Sequence, residues 1–120
     1  MVVLKYVLHT WFLINQFKRM KKITKESIKA FYNREPFKKS NMIVENKEGK
    51  TYLKLFGNII AILDENNELF ITTAGWNSVT TRERLNGLTE VRLGTRKGQL
   101  YLNNIPWDGK LINIRNYENI

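Results

Sequence analysis

The sequence predicts an α+β fold. It reads as a single domain with an N-terminal helix, a twisted, mainly antiparallel sheet, and a short helix inserted between two groups of strands. Three observations lead there. Ile28, Phe31 and Tyr32 stand at i, i+3 and i+4, the spacing of one helix face. From Met42 onward the apolar positions alternate or run in short blocks, which is the pattern of strands. Turn residues separate these blocks at short intervals, as between consecutive antiparallel strands. The 120 residues leave room for one core, not two.

The first helix is expected to start at Thr24 as its cap, with Glu26 in the first turn, and to end before Pro36. Met42–Glu45 is a strand, and Asn46–Lys50 a turn. Tyr52–Phe56 alternates, with Leu53 and Leu55 on one face. Gly57-Asn58 reads as a bulge or bend. Ile59–Leu63 is a continuous apolar run, expected to be a central strand covered on both faces. Asp64–Glu68 is a hairpin connection with solvated acids, and Leu69–Thr73 the return strand. In Thr80-Thr81-Arg82-Glu83 the capping-box form makes Thr80 the N-cap and Glu83 its reciprocal partner. Leu85 and Leu88 then face inward, Gly87 suits a left-handed C-cap, and Trp76 is expected in the core or as a lid. Val91–Leu93, Gln99–Leu102, Ile105–Trp107 and Leu111–Ile114 are the remaining strands. Their turns fall at Gly94–Gly98, Asn103-Asn104 and Asp108-Gly109.

Residues 1–19 stand apart from this domain, which is expected to occupy 20–120. Val2–Phe17 is mostly apolar and is followed by Lys18, Arg19, Lys21 and Lys22. The run falls short of the roughly 20 residues that span a bilayer, and Lys5 and His9 interrupt it. It reads either as an amphipathic segment, whose residues 1–17 could touch a membrane surface, or as an over-extended start ahead of Met20.

Composition removes several classes of chemistry. There is no cysteine and a single histidine, His9, so thiolate chemistry, His-rich metal sites and a His-based catalytic pair are excluded. No phosphate loop, dinucleotide motif or metal-ligand spacing occurs. The acids sit in turns or a cap. The expectation is no catalysis, no cofactor and no metal.

Charge points to a partner instead. The net charge is +9, and residues 1–50 carry twelve Lys/Arg against four Asp/Glu, while residues 51–120 carry eight against seven. A basic front beside a balanced remainder suits a polyanion or an acidic face. The first reading is non-catalytic nucleic-acid binding by Lys25, Lys29, Arg34, Lys38, Lys39 and Lys54. An anion site at the short helix, made of Thr81, Arg82 and Arg84 beside Asn77 and Ser78, would add to it. Tyr32, Phe37, Tyr52, Phe56 and Tyr101 lie near these cations and could stack bases, although most are expected in the core. The second reading is an inhibitor or modulator that occupies an acidic protein surface. A scaffold role comes third. Plain solubility explains the same charge, and exposed arginines on a short helix are commonly a solvated face.

The ordered blocks Leu55-Phe56-Gly57-Asn58-Ile59-Ile60-Ala61, Ala74-Gly75-Trp76 through Leu85-Asn86-Gly87-Leu88, Tyr101-Leu102-Asn103 and Trp107-Asp108-Gly109 carry a resemblance. Over residues 37–114 the chain resembles a family of small proteins encoded by bacteriophages and prophages. The resemblance implies a viral or mobile-element origin and transfers no catalytic residue. It also makes the acidic partner of the second reading a host protein, including a defence protein, adds a virion role to the third, and implies the host cytoplasm as the location. A glycine is common in that family where Asn104 stands here, and Asn103-Asn104 tolerates the same left-handed turn.

Overall fold

A computed structural model describes residues 20–115. The apolar segment 1–19 and both readings of it lie outside the described residues. Helix α1 (Lys22–Tyr32) buries Thr24, Ser27, Ile28, Ala30 and Phe31, so the stripe read from the sequence is its inner face. Its start differs from expectation. The N-cap is Lys21, with no side-chain cap, and Thr24 lies inside the helix and fully buried. The Glu83 carboxylate reaches this helix start from elsewhere in the chain and accepts from the Lys21 amide at 3.4 Å. Glu26 lies beyond the first turn and pairs with Lys22 and Lys39 instead.

The helix ends in a Schellman arrangement. Arg34 takes a left-handed backbone (φ 55°), its amide donates to Phe31 O, and the Glu35 amide donates to Ala30 O at 2.9 Å. That position normally favours glycine, so the arginine side chain must offset the strain. It does so by donating to Thr51 Oγ1 and Leu63 O at 3.2 Å each, to Asn67 Oδ1 at 3.0 Å, and to Asp64 O.

The strands are β1 (Phe37–Lys39), β2 (Met42–Lys47), β3 (Lys50–Leu55), β4 (Asn58–Leu63) and β5 (Leu69–Ile71). Helix α2 (Val79–Leu85) follows, then β6 (Leu93–Arg96), β7 (Gln99–Leu102), β8 (Ile105–Pro106) and β9 (Ile112–Asn113). They form two antiparallel sheets. The larger has the order β1-β2-β3-β4-β5-β9, and the smaller β6-β7-β8. The α+β fold holds, and the second group of strands is divided. Three of its strands make a sheet of their own, while β9 returns to pair with β5, Ile71 opposite Ile112.

Alternation decides the inner face of the larger sheet. Phe37, Val44, Leu53 and Ala61 are cross-strand partners facing α1, and Met42 and Leu55 follow one register step away. The pairing skips Ile60, since Leu53 opposes Ala61 and Lys54 opposes Ile59. This bulge lets adjacent Ile60 and Ala61 both be buried, at 1% and 0% exposure. It also corrects the reading of Ile59–Leu63. The run is central in the sheet, but Ile59 and Ile62 stay half-buried, so it is not covered on both faces. Gly57-Asn58 is not the bulge. Phe56 and Gly57 (φ 50° and 80°) make the two-residue turn of the β3–β4 hairpin, and Asn58 opens β4.

The strand expected at Val91–Leu93 instead runs over Leu93–Arg96, so the turn expected at Gly94–Gly98 narrows to Lys97-Gly98, and that of Asn46–Lys50 to Glu48-Gly49, whereas Asn103-Asn104 holds as read. Asn103-Asn104 (φ 50° and 69°) joins β7 to β8, and the Asn103 side chain accepts from the Arg92 amide at 2.9 Å. Asp64, expected to be solvated, is buried, because its carboxylate accepts the amides of Asn66 and Glu68 at 2.9 and 2.8 Å and so shapes the β4–β5 loop.

Helix α2 corrects three expectations. Its N-cap is Ser78, not Thr80; the Ser78 Oγ accepts from the Thr81 amide at 3.1 Å. Glu83 is drawn away from any capping box because its carboxylate accepts the Thr24 hydroxyl at 2.6 Å and pairs with Arg84. Gly87 is not left-handed; the helix is capped by Asn86 at φ −66°. Its role is proximity. A Cβ there would lie 2.8 Å from Thr24 Cγ2 and 2.9 Å from Ile28 Cγ1, so the missing side chain lets α1 pass. Leu85 and Leu88 are buried as expected.

Candidate functional site

Two surfaces carry chemistry. The first is basic. Residues 20–39 hold seven Lys/Arg against two Asp/Glu, and residues 40–115 hold ten against eight. Because α1 packs beside the edge strand β1, Lys22 on the helix and Lys39 on the strand meet across Glu26, with Lys25 and Lys29 further along the helix. Lys38 alternates with Phe37 and Lys39 and so lies on the sheet face away from α1. Lys29 and Lys38 are exposed, and their side chains make no hydrogen bond or ion pair among the described residues. Lys39 lies 3.1 Å from Glu26, and Lys22 lies 3.8 Å from the same carboxylate. Exposed pairs of this kind contribute little, and one acid cannot neutralise two ammonium groups.

The remaining residues selected from the sequence are engaged in the fold. Arg34 clamps the loops around Gly49–Thr51 and Leu63–Asn67. Lys54 is paired with Glu45 on the neighbouring strand. The group expected at α2 is not gathered into one cluster. Thr81 is 2% exposed, and Ser78 is occupied as its cap. Arg82 folds back onto the Asn77 carbonyl and side chain at 3.2 and 2.7 Å. Arg84 is 5% exposed and reaches Glu83, Thr24 Oγ1 at 3.1 Å and Asn41 Oδ1 at 3.3 Å. A buried guanidinium with these partners holds the two helices to the β1–β2 turn.

The second surface was not read from the sequence. A cavity of about 330 Å³ opens between the β3–β4 turn and the segment before α2. Leu55, Ile60, Thr73 and Thr81, all buried, form its floor. Phe56, Asn58, Ala74, Trp76 and Ser78 form the rim. Trp76 is 67% exposed and Phe56 71%, which overturns the core reading of Trp76 and places both rings at the mouth. Ala74 and Gly75 (φ 54° and 83°) form a second tight turn, closed by the Trp76 amide donating to Thr73 O at 2.9 Å. The turn is fixed from below, where the Thr73 amide and the Thr72 hydroxyl each donate to Gly109 O at 2.9 Å. Phe-Gly and Ala-Gly were the available signals, since each glycine marks a turn that forces its neighbour outward.

The aromatics near the cations also differ from expectation. Tyr32 and Phe37 pack against the core, whereas Tyr52 and Tyr101 are half-buried outside it and Phe56 is exposed. The Arg96 guanidinium lies 4.2 Å over the Tyr101 ring. Among the described residues no three His, Cys, Asp or Glu side chains are grouped to hold a metal, and no helix is long and apolar enough to cross a membrane.

This geometry defines a small α+β protein with a basic helix-and-strand face and a separate aromatic-rimmed pocket. Residues 20–119 match the family model described as Kyanoviridae Gp96 protein, and the chain belongs to that family of small phage proteins. Neither a curated protein nor a solved structure matches the chain.

Proposed function

We propose that this phage protein is a non-catalytic nucleic-acid-binding protein that acts in the host cytoplasm and contacts phosphates through α1 and β1. The observation that carries the reading is the concentration of cations on two packed elements, Lys22, Lys25 and Lys29 on α1 and Lys38 and Lys39 on the edge strand β1, with Glu26 the acid between Lys22 and Lys39. Lysines on two packed elements make a positive strip along this edge of the fold, and such strips bind phosphodiesters by releasing condensed counterions. Arg34, Lys54 and Arg84 are engaged within the fold, which favours the strip over those three cations as the contact.

The test is a titration of labelled oligonucleotide against salt. Affinity should fall steeply between about 50 and 200 mM salt, and Lys29→Glu with Lys38→Glu should weaken binding and flatten that slope. No binding at about 50 mM overturns the reading. Association with an acidic host protein, the second reading, is favoured if the lysine variants lose a protein partner while no oligonucleotide binds.

A further inference from the structure

We propose that the Phe56–Trp76 pocket receives an unstacked base of single-stranded nucleic acid, with the two rings as stacking surfaces. The inference rests on the nucleic-acid reading and specifies its substrate. It starts from the cost of Phe56. The first residue of this hairpin turn has φ 50°, a left-handed backbone that disfavours a bulky side chain. The same place in three other turns is held by Glu48, Lys97 and Asn103, all polar. Phe56 combines the unfavourable backbone with 71% exposure, so packing within the fold does not compensate for it. Trp76, the other large aromatic at this mouth, is 67% exposed. Two exposed rings across one apolar cavity offer faces to a flat, polarisable group, and Asn58 and Ser78 at the rim offer hydrogen bonds to its edge.

The charge leading to the pocket favours an anionic chain over an apolar peptide. The Phe56 amide donates to Asn41 O at 2.9 Å, so the β3–β4 turn is seated on the β1–β2 turn. Lys38 and Lys39 immediately precede that second turn. A strand whose phosphates follow α1 and β1 therefore arrives at Phe56. On the far side, Arg82 lies against Asn77, next to Trp76. The chain as a whole is +9, and none of the residues lining the cavity is charged. Phosphates are thus met beside the pocket and the base within it. A duplex cannot use the site, because its base faces are already stacked.

The test compares a labelled thymidine oligomer of about 20 nucleotides with a duplex of equal length, across the salt range given above. The single strand should bind at least about tenfold tighter. Phe56→Asn and Trp76→Ala should each weaken the single strand about tenfold, with salt slope and duplex affinity unchanged. Binding should also quench tryptophan emission in the wild type but not in Trp76→Phe. Phe56→Asn keeps a turn-compatible residue, so its circular dichroism should match the wild type and a loss of binding is not a loss of fold. Unchanged single-strand affinity in both aromatic variants, or equal affinity for duplex, overturns the pocket assignment while leaving the lysine strip standing. A peptide or protein whose binding alone depends on Phe56 and Trp76 overturns it as well. Aromatic-dependent binding that ignores salt and Lys29→Glu supports the pocket and overturns the phosphate reading.

Discussion

The Thr24 hydroxyl donates to the Glu83 carboxylate at 2.6 Å, joining helix α1 to helix α2 across 59 positions of sequence. The same hydroxyl accepts from Arg84 at 3.1 Å, so one small polar group sits between a carboxylate and a guanidinium. All three are largely removed from water, with Thr24 fully buried and the side chains of Glu83 and Arg84 only 23% and 6% exposed. Thr24→Val keeps the shape and deletes both hydrogen bonds, which should cost about 1–3 kcal/mol. Glu83→Gln leaves the Arg84 charge uncompensated and should cost more, about 3 kcal/mol. Urea unfolding of the two variants checks the order; equal midpoints would mean the carboxylate adds nothing beyond a hydrogen bond.

Gly87→Ala should destabilise the protein although its backbone is not left-handed. Replacing glycine where φ is permissive normally stabilises by about 0.4–1 kcal/mol through the unfolded chain. Here the new methyl meets Thr24 Cγ2 at 2.8 Å and Ile28 Cγ1 at 2.9 Å, with Arg84 O at 3.1 Å behind it. Overpacking of this kind costs about 1–3 kcal/mol, so the sign should be negative for stability. Thermal unfolding decides it, and a raised Tm would show that α1 can move aside.

Arg34→Gly separates backbone from side chain. The substitution relieves the left-handed φ of 55° but removes the fork that holds Thr51, Leu63, Asp64 and Asn67. A guanidinium making several hydrogen bonds outweighs one strained dihedral, so a net loss of about 1–2 kcal/mol is expected. Hydrogen exchange should quicken first at the amides of Asn66 and Glu68, which rest on the Asp64 carboxylate.

Phe56→Asn should act in the opposite direction. Asn-Gly is the favoured pair for a two-residue hairpin turn, and the exposed ring contributes little to the core. A gain of about 1 kcal/mol is expected, or roughly 5 °C in Tm. A variant that is more stable yet binds single strands less well is the pattern of a residue kept for binding.

Much of the architecture was legible because it depends on local periodicity. The stripe Ile28, Phe31 and Tyr32 placed α1, and the alternation of Leu53 and Leu55 set the face of β3. Asn103-Asn104 marked its turn, since asparagine tolerates the geometry the turn needs. Capping was misread at both helices for one reason. Thr24 and Glu83 each have a side chain suited to a local hydrogen bond, and each instead finds a partner on the other helix. Local spacing cannot reveal a contact made across 59 residues. The bulge at Ile60 was hidden likewise, because a continuous apolar run looks the same whether the strand is doubly covered or locally folded back on one face.

By itself the sequence determined the composition-level facts: a chain without cysteine, strongly basic at its front, with helix and strand segments in a set order. These follow from residue identity and near-neighbour geometry, which the chain carries wherever it goes. Only the tertiary structure decided which charges face water. It turned Arg34 and Arg84 inward, where backbone carbonyls and a carboxylate pair with them although Arg84 Nε has no hydrogen-bond partner, and left Lys29 and Lys38 outside. It also brought Phe56 and Trp76 to one cavity from two turns that sequence order keeps apart. Burial is a property of the assembled surface, so the same arginine or aromatic reads alike in sequence until its surroundings are fixed.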